Sequence, residues 1–239
     1  SQPKRISKYG GDCLDSDNTV EGAVPALGPN GEIYVTWAGP KGLVMQKSLD
    51  DGKTWLAEEK YVENQPEGWD IKVPGFYRAN GLPFLVSDMS DGPNRGTLYL
   101  NWSDQRNGND NTDVWIMKST DGGETWSNAI KVNQDGTRSH QFMTAIAIDQ
   151  TNGDLHLVFY DRHKYKANSN QTDVVWCMSK DGGNTFQQQT ISEKSFVPDE
   201  KVFFGDYLGI AAVNGQIRPI WPRMDKGKIT LWTALIDLK

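Results

Sequence analysis

Apolar stretches recur along the chain, each only a few residues long and broken by Gly, Asn or Asp, and no segment keeps a helical period. Four of them end on an aromatic: "GEIYVTW" at Trp37, "GTLYLNW" at Trp102, "GDLHLVFY" at Tyr160 and "GQIRPIW" at Trp221. A shorter run of small apolar residues precedes each, "GAVPALG" from Gly22, "NGLPFLVSD" from Asn80, "FMTAIAID" from Phe142 and "YLGIAAV" from Tyr207. A variable loop leads on to a third run, "LVMQKS", "DVWIMKS", "DVVWCMS" or "TLWTALI". Polar turns then give way to a fourth, such as "SNAIKVN" (Ser127–Asn133). The pattern predicts strands in groups of four.

The turn before the fourth strand is nearly the same nonapeptide three times: "KSLDDGKTW" (Lys47–Trp55), "KSTDGGETW" (Lys118–Trp126) and "MSKDGGNTF" (Met178–Phe186). From Asp50 to Asp121 is 121 − 50 = 71 residues, and from Asp121 to Asp181 is 181 − 121 = 60. Four short strands repeated at that spacing predict an all-β fold, a β-propeller of four-stranded antiparallel blades. One blade cannot cover both faces of its own sheet, so blades stack and the strand-ending aromatics fill the space between them. The repeats run roughly over 8–63, 76–134, 139–193 and 203–239, in one propeller domain spanning 1–239. Residues 1–7, "SQPKRIS", match the fourth-strand string, whereas the last repeat stops after its third strand. Two explanations stand: residues 1–7 complete the last blade and close the ring, or these four repeats belong to a six- or seven-bladed propeller with further blades upstream.

Within the nonapeptide, Gly52, Gly123 and Gly183 suit a positive φ, which other residues adopt at a cost of about 1 kcal/mol or more. Asp50, Asp121 and Asp181 can accept backbone N–H groups across the turn, and Ser48, Ser119, Ser179, Thr54, Thr125 and Thr185 can bind further backbone groups. Trp55, Trp126 and Phe186 can pack beneath. Acids serving three separate turns cannot converge on a substrate, so they read as structural.

A net charge of −6 argues against nucleic acid or an anionic membrane as the main partner. No apolar run is long enough for a transmembrane segment. Two cysteines, Cys13 and Cys177, fit no local motif and leave a disulfide undecided. Low cysteine content, an acidic balance and many Asn, Gly and Trp residues suit a secreted or cell-surface bacterial protein whose export signal has been removed or lies elsewhere.

In a propeller the loop between strands two and three lies on the face opposite the repeated turn, together with the segment leading into strand one. Those loops hold Lys41, Asp104 with Arg106, Asp161 with Arg162 and His163, and Arg223 with Asp225. The leading segments add Glu21, Arg78, His140 with Gln141, and Asp206 with Tyr207. Guanidinium groups grip carboxylates bidentately, so this face can form an arginine-lined mouth for an anionic ligand. Alternatively, each Asp–Arg pair knits its own loop or a neighbouring blade. "GDCLDSDNTVEG" offers Asp12, Asp15, Asp17, Asn18 and Glu21 as oxygen ligands for Ca²⁺, without EF-hand spacing, and "NGNDNTD" (Asn107–Asp113) is similar. No cofactor is required by any motif, and His140, His156 and His163 lack zinc-ligand spacing.

The three nonapeptides resemble the Asp box, or bacterial neuraminidase repeat, of the sialidase superfamily. The strings "GDCLDSDNTVEGAVP", "LYLNWSDQRNG" and "FFGDYLGIAAVNGQIRPIW" are similar to bacterial secreted sialidase-like proteins, many of which carry more repeats upstream. The resemblance implies a propeller that binds or hydrolyses glycans, acidic sugars above all, on the face away from the boxes. As an enzyme it would be an exo-sialidase-like glycoside hydrolase with an arginine triad, a Tyr nucleophile assisted by Glu, and an acid/base Asp. Here Tyr207 with Glu21 are the candidates for the first pair and Asp104 or Asp161 for the acid. Arg78, Arg106, Arg162, Arg223, His140 and Asp206 are the candidates for substrate binding. The family's Arg-Ile-Pro string is absent; "KRIS" at Arg5 and "FYRANGLP" at Arg78 are partial echoes. The contrasting expectation is a non-catalytic propeller used for adhesion or protein interaction.

Overall fold

The computed structural model describes residues 2–12, 14 and 16–238, and among them there is no helix. The first sheet holds β1 (Glu21–Leu27), β2 (Ile33–Gly39), β3 (Gly42–Ser48) and β4 (Lys60–Glu63) in sequential antiparallel order. A small pair follows, β5 (Asp70–Ile71) and β6 (Ala79–Asn80). The second sheet comprises β7 (Phe84–Ser87), β8 (Leu98–Asp104), β9 (Asp113–Ser119) and β10 (Ile130–Lys131), and the third β11 (Gln141–Asp149), β12 (Asp154–Asp161), β13 (Asp173–Ser179) and β14 (Gln187–Thr190). In the last, β15 (Gly209–Val213) pairs with β16 (Gln216–Asp225), which pairs in turn with β17 (Lys228–Thr233) and, further along, with β18 (Ile236–Asp237). The chain is a β-propeller of meander sheets, with each first strand set beside that of the next sheet.

Packing follows the pattern read from the sequence. Trp102, buried with Tyr34, Ala38 and Met45, fills the space between the first two sheets. Tyr160 and Trp221 lie in the cluster joining the third and fourth. Trp37 is also buried. Cys177 is a buried free thiol whose pKa is pushed up by burial; Cys13 and Asp15 lie outside the described residues.

Register separates the two ends of every sheet. Ser119 lies opposite Leu98 at one end of the β8–β9 pair, and Asp113 lies opposite Asp104 at the other. In β12–β13 the same holds for Ser179 with Leu155 and Asp173 with Asp161. Six residues at about 3.3 Å each put roughly 20 Å between them. The nonapeptide corners and the β2–β3-type loops therefore occupy opposite faces.

The corner face is tied from sheet to sheet. Each corner closes on itself: Ser119 Oγ donates to Asp121 Oδ1 (2.8 Å) and accepts from Gly123 N (2.8 Å), while Thr125 N and Oγ1 donate to Asp121. Ser48, Asp50, Gly52 and Thr54 repeat this, as do Ser179, Asp181, Gly183 and Thr185. Gly52, Gly123 and Gly183 have φ of 80°, 78° and 79°. The bonds from Thr54 hold Asp50 down at about 2; Asp181 also sits at about 2, because the Thr185 and Ser179 bonds outweigh the opposing effect of burial. The residue before the corner Ser then reaches the next sheet: Lys47 Nζ donates to Gly122 O (2.9 Å) and pairs with Glu124, and Lys118 Nζ donates to Gly182 O and Asn184 Oδ1 (both 2.9 Å).

One of the two expectations for residues 1–7 is not met by the described residues 2–7: Ile6 O accepts from Gln46 Nε2 on the first sheet, Arg5 donates to Ser7 O and Lys8 O, and among the described residues none of this segment joins the last sheet. Among the described residues β17 has β16 as its sole strand partner.

Candidate functional site

Two long connectors cross the face opposite the corners, 64–83 between β4 and β7 and 191–208 between β14 and β15. Apolar residues pull them inward. Phe76 of the first packs edge-on against Phe142 (5.1 Å between centroids) and against Phe204 of the second (4.9 Å), with Ile71, Val73 and Leu208 in the same cluster. This places Arg78 against Asp206, 128 residues away: Nε donates to Oδ1 (2.8 Å) and Nη2 to Oδ2 (2.6 Å), while Asn80 Nδ2 donates to Asp206 O (2.9 Å). The exposed phenol of Tyr207 is raised above its ordinary pKa by burial first, then by the charges of Asp206 and Glu21, with Arg78 opposing. Tyr207, Glu21, Asp206 and Arg78 thus form one neighbourhood, and the phenol is protonated at neutral pH.

The other predicted residues do not join it. Asp104 is fully buried, accepting from Trp102 Nε1 (2.9 Å) and from Arg106 Nε and Nη2 (3.0 and 2.7 Å), and Arg106 lies over the Trp115 ring (4.5 Å). Asp161 accepts from Gln141 Nε2 and His163 N (both 2.9 Å) and pairs with His163 Nδ1. Gln141 Oε1 in turn accepts from Asn133 Nδ2 (2.9 Å), which also donates to Asp113 Oδ1 (2.8 Å). Both acids anchor hairpin ends, a repeated place in the blade, and spend their oxygens on hydrogen bonds there. Arg223 is almost fully buried, with Nε 2.8 Å from Asp225 Oδ2 and its guanidinium 4.3 Å above Trp232. Arg78, Arg106 and Arg223 each serve a different carboxylate, so these three do not assemble an arginine-lined mouth.

Arg162 differs. It is 4% exposed, donates from Nε to Thr172 Oγ1 (3.0 Å) and from Nη1 to Pro74 O (2.7 Å), lies over the Phe142 ring (5.3 Å), and its buried Nη2 has no hydrogen-bond partner among the described residues. No carboxylate among the described residues pairs with it. Burial alone lowers its pKa from 12.5 to about 10, so it remains a cation at neutral pH. It lines a cavity of about 490 Å³ together with Arg138, His140, Tyr165, Lys166 and Asp110. His140 is held near pKa 4 by burial and then by the Arg162 charge; Thr112 Oγ1 accepts from Gln105 Nε2 and shares a hydrogen bond with His140 Nδ1 (2.8 Å). With His140 neutral, three cations face the single carboxylate Asp110, which Arg138 grips through Nε (2.9 Å). The wall is locally positive in a chain of net charge −6.

A second cavity, about 660 Å³, adjoins the first through Pro74 and Asn109 and is lined by Asp70, Lys72, Tyr77, Arg78 and Glu200. The sequence reading missed Tyr77, Arg138, Tyr165 and Lys166; the apolar alternation of "DIKVPGF" before Tyr77 was the available sign that this connector packs inward. Of the proposed calcium ligands, Asp12 accepts from Asn18 Nδ2 and Leu14 N within its own turn, and Asp17 accepts from Asp70 N of the β4–β7 connector. Among the described residues no group of three or more His, Cys, Asp or Glu could hold a metal.

No family model and no curated protein matches the chain. Solved structures do. The Fusarium graminearum α-L-arabinofuranosidase Arb93A aligns at TM-score 0.57 and 16% identity, over 97% of this chain and 66% of its own. The Hadza microbial sialidase Hz136 aligns at 0.58 and 16%, over 92% and 46%. The NanB sialidase of Streptococcus pneumoniae aligns at 0.57 and 12%, over 96% and 51%. This is the sialidase-like propeller fold. The chain spans between about half and two thirds of these neighbours' lengths. At such identities the likeness concerns the fold, and function has to be argued from the site. Among the described residues no helix is long and apolar enough to cross a membrane.

Proposed function

We propose that this sialidase-like propeller binds acidic glycans on the face opposite the corners, with the sugar's anionic group at the Arg162 cavity. The observation that carries the reading is a buried guanidinium without a carboxylate, facing a cavity with Lys166 and Arg138. No carboxylate balances this buried cation, and an anionic ligand supplies the missing opposite charge as no neutral one can. An extracellular or cell-surface setting belongs to this reading, as does the glycan chemistry of the sialidase and arabinofuranosidase neighbours.

Binding rather than hydrolysis is the activity the geometry supports. Tyr207 has Glu21 in its surroundings, as a nucleophile and its base would require, but its pKa is raised and the acid candidates Asp104 and Asp161 are locked in hairpin ends. Calorimetry with N-acetylneuraminic acid and with the neutral sugar galactose tests the proposal, alongside a fluorogenic sialoside for turnover. Binding of the acid alone, lost in Lys166→Ala with Arg138→Ala, is expected; equal affinity for both sugars, or for neither, would overturn it. Turnover dependent on Tyr207 would replace binding with exo-glycosidase action.

A second reading, an adhesion or protein-interaction module, is favoured by the outward face of the last sheet, where Val213, Ile220 and Leu231 are 60%, 46% and 73% exposed. Light scattering of the wild type and of Leu231→Lys distinguishes it: a loss of self-association or partner binding in the variant supports this reading.

A further inference from the structure

The larger cavity carries a different chemistry from its neighbour. Its charges balance, with Asp70 and Glu200 against Lys72 and Arg78, whereas the Arg162 cavity is positive. Beside it sit three large aromatic side chains in water: Tyr77 is 57% exposed, Phe203 50% and Tyr207 59%. Tyr77 and Phe203 meet edge to face at 6.0 Å, and the Arg78 guanidinium lies 5.2 Å from the Phe203 ring. They come from both connectors, Tyr77 from one and Phe203 and Tyr207 from the other. The Arg78–Asp206 pair fastens the two together.

Single exposed aromatics are ordinary on a protein surface, but a fastened cluster flanked by oriented polar groups is a recognition surface. The C–H face of a pyranose is apolar and flat enough to lie on an aromatic ring, while its hydroxyls need donors and acceptors at the ring's edge. Arg78, Asn109 and Glu200 supply both kinds. Resting on the acidic-glycan reading above, we infer that Tyr77, Phe203 and Tyr207 form a second subsite, which takes a neutral pyranose joined to the acidic residue held at Arg162. The ligand class is then an oligosaccharide whose charged residue occupies the smaller cavity and whose neutral residue stacks across the larger one. Pro74 and Asn109, common to both cavities, mark the place of the glycosidic link.

Calorimetry with three probes tests this: N-acetylneuraminic acid, the same acid joined to lactose, and lactose alone. Tyr77→Ala and Phe203→Ala change exposed side chains, and circular dichroism checks that they fold. Each is expected to weaken the conjugate about tenfold, equivalent to about 1.4 kcal/mol, and to leave the free acid unchanged. A conjugate that binds both variants as tightly as wild type, or variants that lose the free acid to the same degree, overturns the subsite. Should wild type bind lactose but no acid, the anion reading fails alone, and sensitivity of lactose to Tyr77→Ala sustains the stacking surface. Absence of binding by both lactose and the conjugate overturns the subsite.

Discussion

Replacing Arg162 by Met separates what the guanidinium costs the fold from what it gives to binding. The fall of its pKa from 12.5 to about 10 corresponds, at about 1.4 kcal/mol per pH unit, to about 3 kcal/mol of lost hydration. Against this stand its hydrogen bonds to Pro74 O and Thr172 Oγ1, worth about 1.5 to 3 kcal/mol each because the donor is charged. Met is of similar length and packs flexibly, so little volume is lost. The bonds match or modestly exceed the lost hydration, and Arg162→Met should melt level with wild type or a few degrees below it when no ligand is present. With an acidic sugar at a hundred times its dissociation constant, wild type gains about 2.7 kcal/mol. At about 2 to 4 °C per kcal/mol for a chain of this size, that is a rise of about 5 to 10 °C. The variant should gain nothing. Differential scanning fluorimetry in sulfate- and phosphate-free buffer reads all four conditions. A variant that melts far below wild type would show that Arg162 is a structural cation, and an equal ligand-induced rise in both proteins would remove it from the site.

Acid should weaken the fold in two stages. His140 and His156 are both held near pKa 4 by burial, below the ordinary 6.5, so the unfolded chain takes up protons that the native state refuses. Their stabilisation is present above pH 6.5 and is lost as the pH falls towards 4, by up to about 3 kcal/mol each; urea midpoints that stay level between pH 6.5 and 4.5 would contradict it. Asp50 and Asp181, held near 2, add a second loss below about pH 3.8. Gly183→Ala should destabilise by about 1 to 2 kcal/mol, because its φ of 79° disfavours a Cβ that would also stand 3.3 Å from Leu155 Cδ1; an unchanged melting temperature would refute this. Lys118→Met, which severs the tie to Gly182 and Asn184, should cost about 1 kcal/mol in chemical denaturation while leaving sugar affinity untouched.

The fold was legible because it is periodic. Alternation, strand-ending aromatics and a thrice-used corner each repeat with the blade, and the register that sends Ser119 and Asp104 to opposite ends follows from strand order alone. The same periodicity misled the search for a site. Asp104 with Arg106 and Arg223 with Asp225 recur because every hairpin end needs its backbone and charge satisfied, and the structure uses them for that. Arg162 follows Asp161 in sequence yet escapes the pattern, since the acid beside it is taken by Gln141 and His163. Nothing local in "YDRHKY" reveals this; Gln141 lies 20 residues upstream, and Pro74, whose carbonyl accepts from Arg162 Nη1, lies 88 away. The connectors were opaque for the same reason. They belong to no repeat, and contacts over 128 residues, Phe76 on Phe204 and Arg78 on Asp206, decide their course.

The division between the two faces has a physical cause. At the corner end the polar groups are spent on the fold: each Asp is consumed by its own turn, and Lys47 and Lys118 bridge to the next sheet. At the equivalent place before the third corner the chain has Met178, which packs with Ile217 of the last sheet. Rigid at one end, the sheets can carry irregular connectors at the other without losing register. There β11 and β1 each begin with a bulge, at Met143 with φ of 53° and at Gly22 with φ of 66°, beside Gln141 and Glu21 respectively. Bulges re-aim side chains at strand ends and gather next to binding sites. The unpaired cation, the exposed aromatics and the bulged strand ends therefore all fall on the one face that the inter-sheet corner ties leave open.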